Sequence, residues 1–124
     1  MGSLSLDKLT DAKFNIEVSG NMVKFSGCID LQDPEPIISP FFDKIHKQIV
    51  DQNIKEVSLD FKALTFLNSS GIKTITKWVM KIPNLTDDKK YKMRLLYSEE
   101  ITWQRTSLMI LTYLAPGFVE AIPG

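Results

Sequence analysis

The chain has a single cysteine, Cys28, so no disulfide can close within it. A lone thiol also fits a reducing compartment. There is one histidine, His46, and Cys28 has no ligand-spaced companion, so nothing resembles a metal site. No Gly-rich phosphate loop is present. No apolar run approaches the roughly 18 residues that a membrane-spanning helix needs. The opening residues lack the basic and apolar regions of a signal peptide. A myristoylation motif starting at Met1-Gly2 would want Ser or Thr where Leu6 stands. An excess of charge is missing too: Lys plus Arg and Asp plus Glu are 15 each, whereas nucleic acid calls for a basic face. These absences lead us to expect a cytoplasmic protein with no cofactor, no nucleic-acid partner and no membrane partner.

What is present is enough apolar material for a real core. The 124 residues fit one domain, and a hydrophobic fraction of 44% can fill it. Residues 1–12 are polar and mixed, a flexible lead-in to a domain spanning 13–124. Phe14, Ile16 and Val18 alternate with polar neighbours, as do Val23 and Phe25 after the turn signal Ser19-Gly20-Asn21, which predicts a β-hairpin. Ser39-Pro40 reads as a helix N-cap with proline in the first turn, followed by Phe41, Phe42, Ile45 and Ile49 at helical spacing. Val57, Leu59 and Phe61 predict a third strand. A second helix is expected over about 70–82, with Ile72, Ile75, Val79 and Ile82 on one face and Pro83 ending it. Tyr91, Met93, Leu95 and Tyr97 form a fourth strand. Ser98 caps a third helix whose first turn carries Glu99-Glu100 and whose apolar side is Ser107, Ile110, Leu111 and Leu114. Residues 118–122 make a short last strand. The order β-β-α-β-α-β-α-β implies an α/β domain with a mainly parallel sheet and an N-terminal antiparallel hairpin.

The most informative stretch is 57–72, read as a buried strand, a short polar loop and the first turn of a helix. Two hydroxyls and a glycine, Ser69-Ser70-Gly71, sit where the loop becomes helix. A helix start has unpaired N–H groups and a partial positive charge. It accepts a hydroxyl as a cap, or a phosphate carried on that hydroxyl.

The element order, with Gly27-Cys28-Ile29-Asp30 and Asn68-Ser69-Ser70-Gly71-Ile72, resembles the STAS family, the bacterial anti-sigma factor antagonists and related transporter domains. The resemblance implies a phosphoprotein of signal transduction and transcription regulation that works by partner switching. Ser69 would be modified, with Ser70 the alternative, by a serine kinase that doubles as an anti-sigma-type protein, and a phosphatase would reset it. Asp30, Asn68, Ser70, Gly71 and Lys73 would face the partner, Ser70 as the neighbouring cap and Gly71 for close backbone approach. The protein would be a monomer or weak dimer and not an enzyme. Three departures stand out. Asn68 replaces the family's aspartate, Ile72-Lys73-Thr74 replaces its usual continuation, and little chain follows Ile122 for the usual last helix, as in a trimmed or divergent member.

Two rival readings stand beside this one: a nucleotide or small-ligand binding domain, and a constitutive scaffold subunit that has lost the switch. For the remaining polar residues a structural role is expected. His46 reads as a surface or edge histidine, Cys28 as a small buried filler, and Asp87-Asp88 as a solvated loop. Trp78 and Trp103 read as packing residues, one of them a candidate exposed anchor. No nucleophile, base and orienting group can be named together.

Overall fold

A computed structural model describes Leu4 and residues 6–124. The Met1-Gly2 start, on which the myristoylation reading turned, lies outside the described residues. Nine elements follow one another: β1 (Leu9–Thr10), β2 (Phe14–Ser19), β3 (Met22–Ile29), α1 (Glu35–Asp51), β4 (Glu56–Leu67), α2 (Ser69–Val79), β5 (Lys92–Tyr97), α3 (Thr102–Thr112) and β6 (Val119–Pro123). They match the predicted order, with the two-residue β1 added in front. Leu4 is buried in the core, and its N–H bonds the Gly20 carbonyl at 2.7 Å.

All six strands join one sheet, and their spatial order is their sequence order. β1, β2 and β3 pair antiparallel, whereas β3 to β6 run parallel through helical crossovers. Strand side chains alternate between faces, and the register aligns them into rows. Val23, Leu59, Leu95 and Ala121 lie side by side on the inner face, and Lys24, Asp60, Leu96 and Ile122 on the outer one. The helices cover the inner rows. Phe25 stacks on Phe61 with centroids 4.5 Å apart and meets Phe42 of α1 edge-on, and Phe42 packs on Trp78 of α2 at 4.9 Å. The outer face carries ion pairs beside apolar Leu96 and Ile122: Arg94 on β5 reaches Glu56 on β4 and Glu120 on β6.

The helix boundaries differ from the sequence reading. α1 starts four residues before Ser39, which is not its cap: Pro34 occupies the N-cap position, Pro36 sits in the first turn, and Ile38 N–H already bonds the Pro34 carbonyl at 2.8 Å. Proline in a first turn forfeits an N–H that has no partner there, so a run that reads as a breaker starts the helix instead. Pro40 lies inside α1. α2 ends at Val79, before Pro83, in a tight turn that keeps Ile82 fully buried. Ser98 does not cap α3 either. It closes a turn with Glu100 and Ile101, and the helix begins at Thr102 beyond both glutamates. The buried side of α3 is Gln104, Leu108 and Leu111, while Ile110 is 58% exposed.

Candidate functional site

The segment between β4 and α2 is not the short polar loop expected from the sequence. β4 continues six residues past Phe61, to Leu67, and Asn68 alone separates it from α2. The buried positions reveal how: Val57, Leu59 and Phe61 come at every second residue, then Leu64 and Leu67 at every third. The change of period follows two slips in the register with β3, between Lys24 and Ser26 and between Gly27 and Cys28. Such bulges let one strand carry extra residues and bend.

Pairing of β4 with β5 stops at Asp60 and Leu96. Beyond that point α3 supplies the missing donors. Gln104 Nε2 donates to the carbonyls of Phe61 and Leu64 at 2.5 and 2.7 Å, and Trp103 Nε1 donates to that of Thr65 at 2.9 Å. Gln104 is wholly buried, and its Oε1 accepts from Ser98 N–H at 2.7 Å. A buried strand edge cannot leave its polar groups unpaired, and Gln104 meets that demand at Phe61 and Leu64.

Asn68, not Ser70, caps α2. Its backbone is extended (φ −76°, ψ 173°), and Oδ1 accepts from Gly71 N–H at 2.8 Å. The same carboxamide donates through Nδ2 to the Leu31 carbonyl at 2.7 Å, and Asn68 N–H donates to the Ile29 carbonyl at 3.0 Å. An aspartate could accept as a cap but, ionised, has nothing to donate. An asparagine here therefore does what an aspartate could not, holding the Leu31 carbonyl as well as the cap.

With the cap supplied by Asn68, Ser69 and Ser70 occupy the first two helical positions with exposed side chains. Lys73, one turn on, is exposed as well. Gly71 is buried, and a Cβ there would lie 2.4 Å from Leu67 Cδ1. The close approach that this glycine permits is thus made by the chain's own Leu67.

Asp30 follows β3 directly, beside the Ile29 and Leu31 carbonyls that hold Asn68. Its carboxylate pairs with Lys13 at 3.0 Å, and accepting that hydrogen bond raises the lysine's pKa above its ordinary value. Gly27 lies within β3 at one of the register slips, with φ +91°, and a Cβ would stand 2.2 Å from the Lys13 carbonyl oxygen. Only glycine tolerates both conditions. Asp30, Asn68, Ser69 and Ser70 thus converge at the C-terminal ends of the two central strands.

Phe66 stands two residues before the cap and is 46% exposed. Sequence reasoning missed it, because an aromatic in an apolar run is assumed to be core, and only the second register slip turns it outward. Of the two tryptophans, Trp78 is buried, and Trp103 is half-buried with its indole N–H committed to Thr65. His46 is half-buried and engaged with Tyr91, not a plain surface residue. A groove of about 250 Å³ runs between α1 and α2 over Phe42 and Trp78. It is bridged by the ion pairs Lys77–Glu35 and Lys81–Asp43, and Lys77 followed by Lys73 holds the Glu35 carboxyl below its usual range.

No family model and no curated protein matches the chain. Among solved structures, the crystal structure of an anti-sigma factor antagonist from Mycobacterium paratuberculosis superposes with a TM-score of 0.50 at 19% sequence identity. The match covers 82% of this chain and 80% of that one. The fold is therefore STAS-like, of the kind that antagonist adopts.

Proposed function

We propose that this protein is a non-catalytic regulatory module that captures a serine kinase of the anti-sigma type and is released when that kinase phosphorylates Ser69. A phosphatase then restores binding. One observation carries the reading: Asn68 does the capping, so the Ser69 hydroxyl stands exposed at a helix start with no structural duty as cap. A serine held in the cap would have to break a helix-terminal bond before it could be modified.

A phosphate at Ser69 adds about −1.5 to −2 charges and three acceptor oxygens. The N-terminal end of α2 would return roughly 0.3–1 kcal/mol to such a group, and Lys73 lies within one turn to pair with it. The modified protein stays folded. The cost falls on the docked complex, where a dianion has to be desolvated against the partner. Exposed Phe66 supplies an apolar anchor next to the corner, and interface energy concentrates in such aromatic residues. Asp30 and its Lys13 partner form the polar rim.

The test is to purify the chain with its co-occurring kinase and measure affinity for unmodified protein, Ser69→Ala and Ser69→Asp. A loss of at least about a hundredfold for Ser69→Asp, corresponding to roughly 3 kcal/mol, with Ser69→Ala close to wild type, supports the switch. Equal affinity for all three removes it. Intact-mass analysis with Ser69→Ala and Ser70→Ala identifies which hydroxyl takes the phosphate.

A further inference from the structure

Away from the corner, three side chains from three parts of the fold form one hydrogen-bonded chain, two of them buried and the third, His46, half-buried. Trp78 Nε1 on α2 lies 2.8 Å from the Tyr91 hydroxyl, and His46 Nδ1 on α1 lies 2.7 Å from the same oxygen. Trp78 and Tyr91 are each 1% exposed. The direction of the chain follows by elimination. An indole N–H can only donate, so the Tyr91 oxygen accepts from Trp78. The Tyr91 proton also needs an acceptor, and among the described residues His46 Nδ1, 2.7 Å away, is the one placed to take it. That assignment makes His46 a neutral imidazole with its own proton on Nε2.

The geometry points to a proton-operated latch: a proton taken from solvent onto the Nδ1 lone pair of His46 deprives the buried Tyr91 hydroxyl of its acceptor and loosens the joint between α1, α2 and the start of β5. No covalent bond breaks. An N–H then faces an O–H, and one donor is left unpaired in a dry site.

Charged groups from three segments surround His46. On α1, Asp43 stands one turn before it, and Lys47 beside it pairs with Asp51. Beyond the end of α2, Lys81 pairs with Asp43. In the segment leading to β5, Lys90 pairs with Asp87, and Lys89 donates to the Val50 carbonyl. Burial first, and then Lys81, hold the His46 pKa below its ordinary value, against the smaller opposing pull of Asp43. The unfolded chain therefore takes up the proton first, near pH 6.5, and the folded protein only at lower pH. Between those two points the unfolded state binds more protons, so stability is full above pH 6.5 and falls as the solution is acidified through that window.

NMR on the full chain tests this through the His46 imidazole and the Trp78 indole N–H. The expected result is a His46 midpoint below pH 6.5, with Trp78 Nε1–H losing at least tenfold of its protection from hydrogen exchange at the same midpoint. The melting temperature of the wild type falls from pH 7 to pH 5 more steeply than that of His46→Gln, which keeps an acceptor for Tyr91 but cannot titrate. A Trp78 indole proton that ignores the His46 titration overturns the latch, as does a His46→Gln melting profile parallel to wild type. Should His46→Gln fail to fold, the coupled wild-type titration decides alone.

Discussion

The carboxamide of Asn68 donates to the Leu31 carbonyl across 2.7 Å while its oxygen holds Gly71 N–H. One side chain thus ties the end of β3 to the start of α2. Replacing Asn68 by Asp preserves the acceptor and loses the donor. We expect Asn68→Asp to destabilise by about 1–2 kcal/mol, a carbonyl left without its partner facing a new charge, despite some gain from the helix dipole. Urea denaturation at pH 7 measures it. A variant as stable as wild type would show that the Leu31 bond contributes nothing.

Gly27 and Gly20 both have positive φ, +91° and +63°, but differ in surroundings. A Cβ at Gly20 meets nothing within 4 Å, whereas at Gly27 it meets backbone at 2.2 Å. Gly20→Ala should cost about 1–2 kcal/mol from the left-handed conformation alone. Gly27→Ala should cost at least twice as much, because β2 and β3 must also separate. Paired denaturation curves give the comparison, and equal losses would rule out the steric account.

Among the described residues, Gln104 is the one side chain bonded to two β4 carbonyls and to Ser98 N–H. Gln104→Leu conserves bulk and deletes all three bonds. A loss of about 3 kcal/mol is expected, since each stranded buried group costs roughly 1–3 kcal/mol and they partly relax together. Gln104→Glu, whose ionised carboxylate would face the two carbonyls with nothing to donate, should recover none of that loss. Thermal melts of the three proteins distinguish the cases.

Phe66→Ser should destabilise by no more than about 1.5 kcal/mol, because Phe66 is already 46% exposed. If the ring anchors the partner, the same change weakens kinase capture at least tenfold, about 1.4 kcal/mol or more. Unchanged capture would restrict the interface to the polar corner.

The strands and their order along the chain were readable from period-2 alternation, since Phe14, Ile16, Val23, Val57, Leu59, Met93 and Leu95 all point inward. Where the alternation broke, so did the reading. The β4 extension hides in the sequence because its bulges replace a period of two by a period of three, which resembles neither strand nor loop. The α3 stripe was misplaced because its first buried member is Gln104, a residue type assumed to face water. The caps failed for a related reason. Proline, asparagine and isoleucine hold the N-cap positions of α1, α2 and α3, while the serines that looked like caps, Ser39, Ser70 and Ser98, do other things. The convergence of Asp30 with Asn68 and Ser69 was legible only through the family resemblance, because residues 38 positions apart meet solely by β3–β4 pairing.

A strand that passes into a helix through one residue leaves no slack. The footing offered to a visitor at Ser69 is cast in advance, so association there spends little on ordering the host. By the same token, a chemical mark on that footing has no hinge to pull. It speaks through its own bulk and charge, at the spot where it is placed.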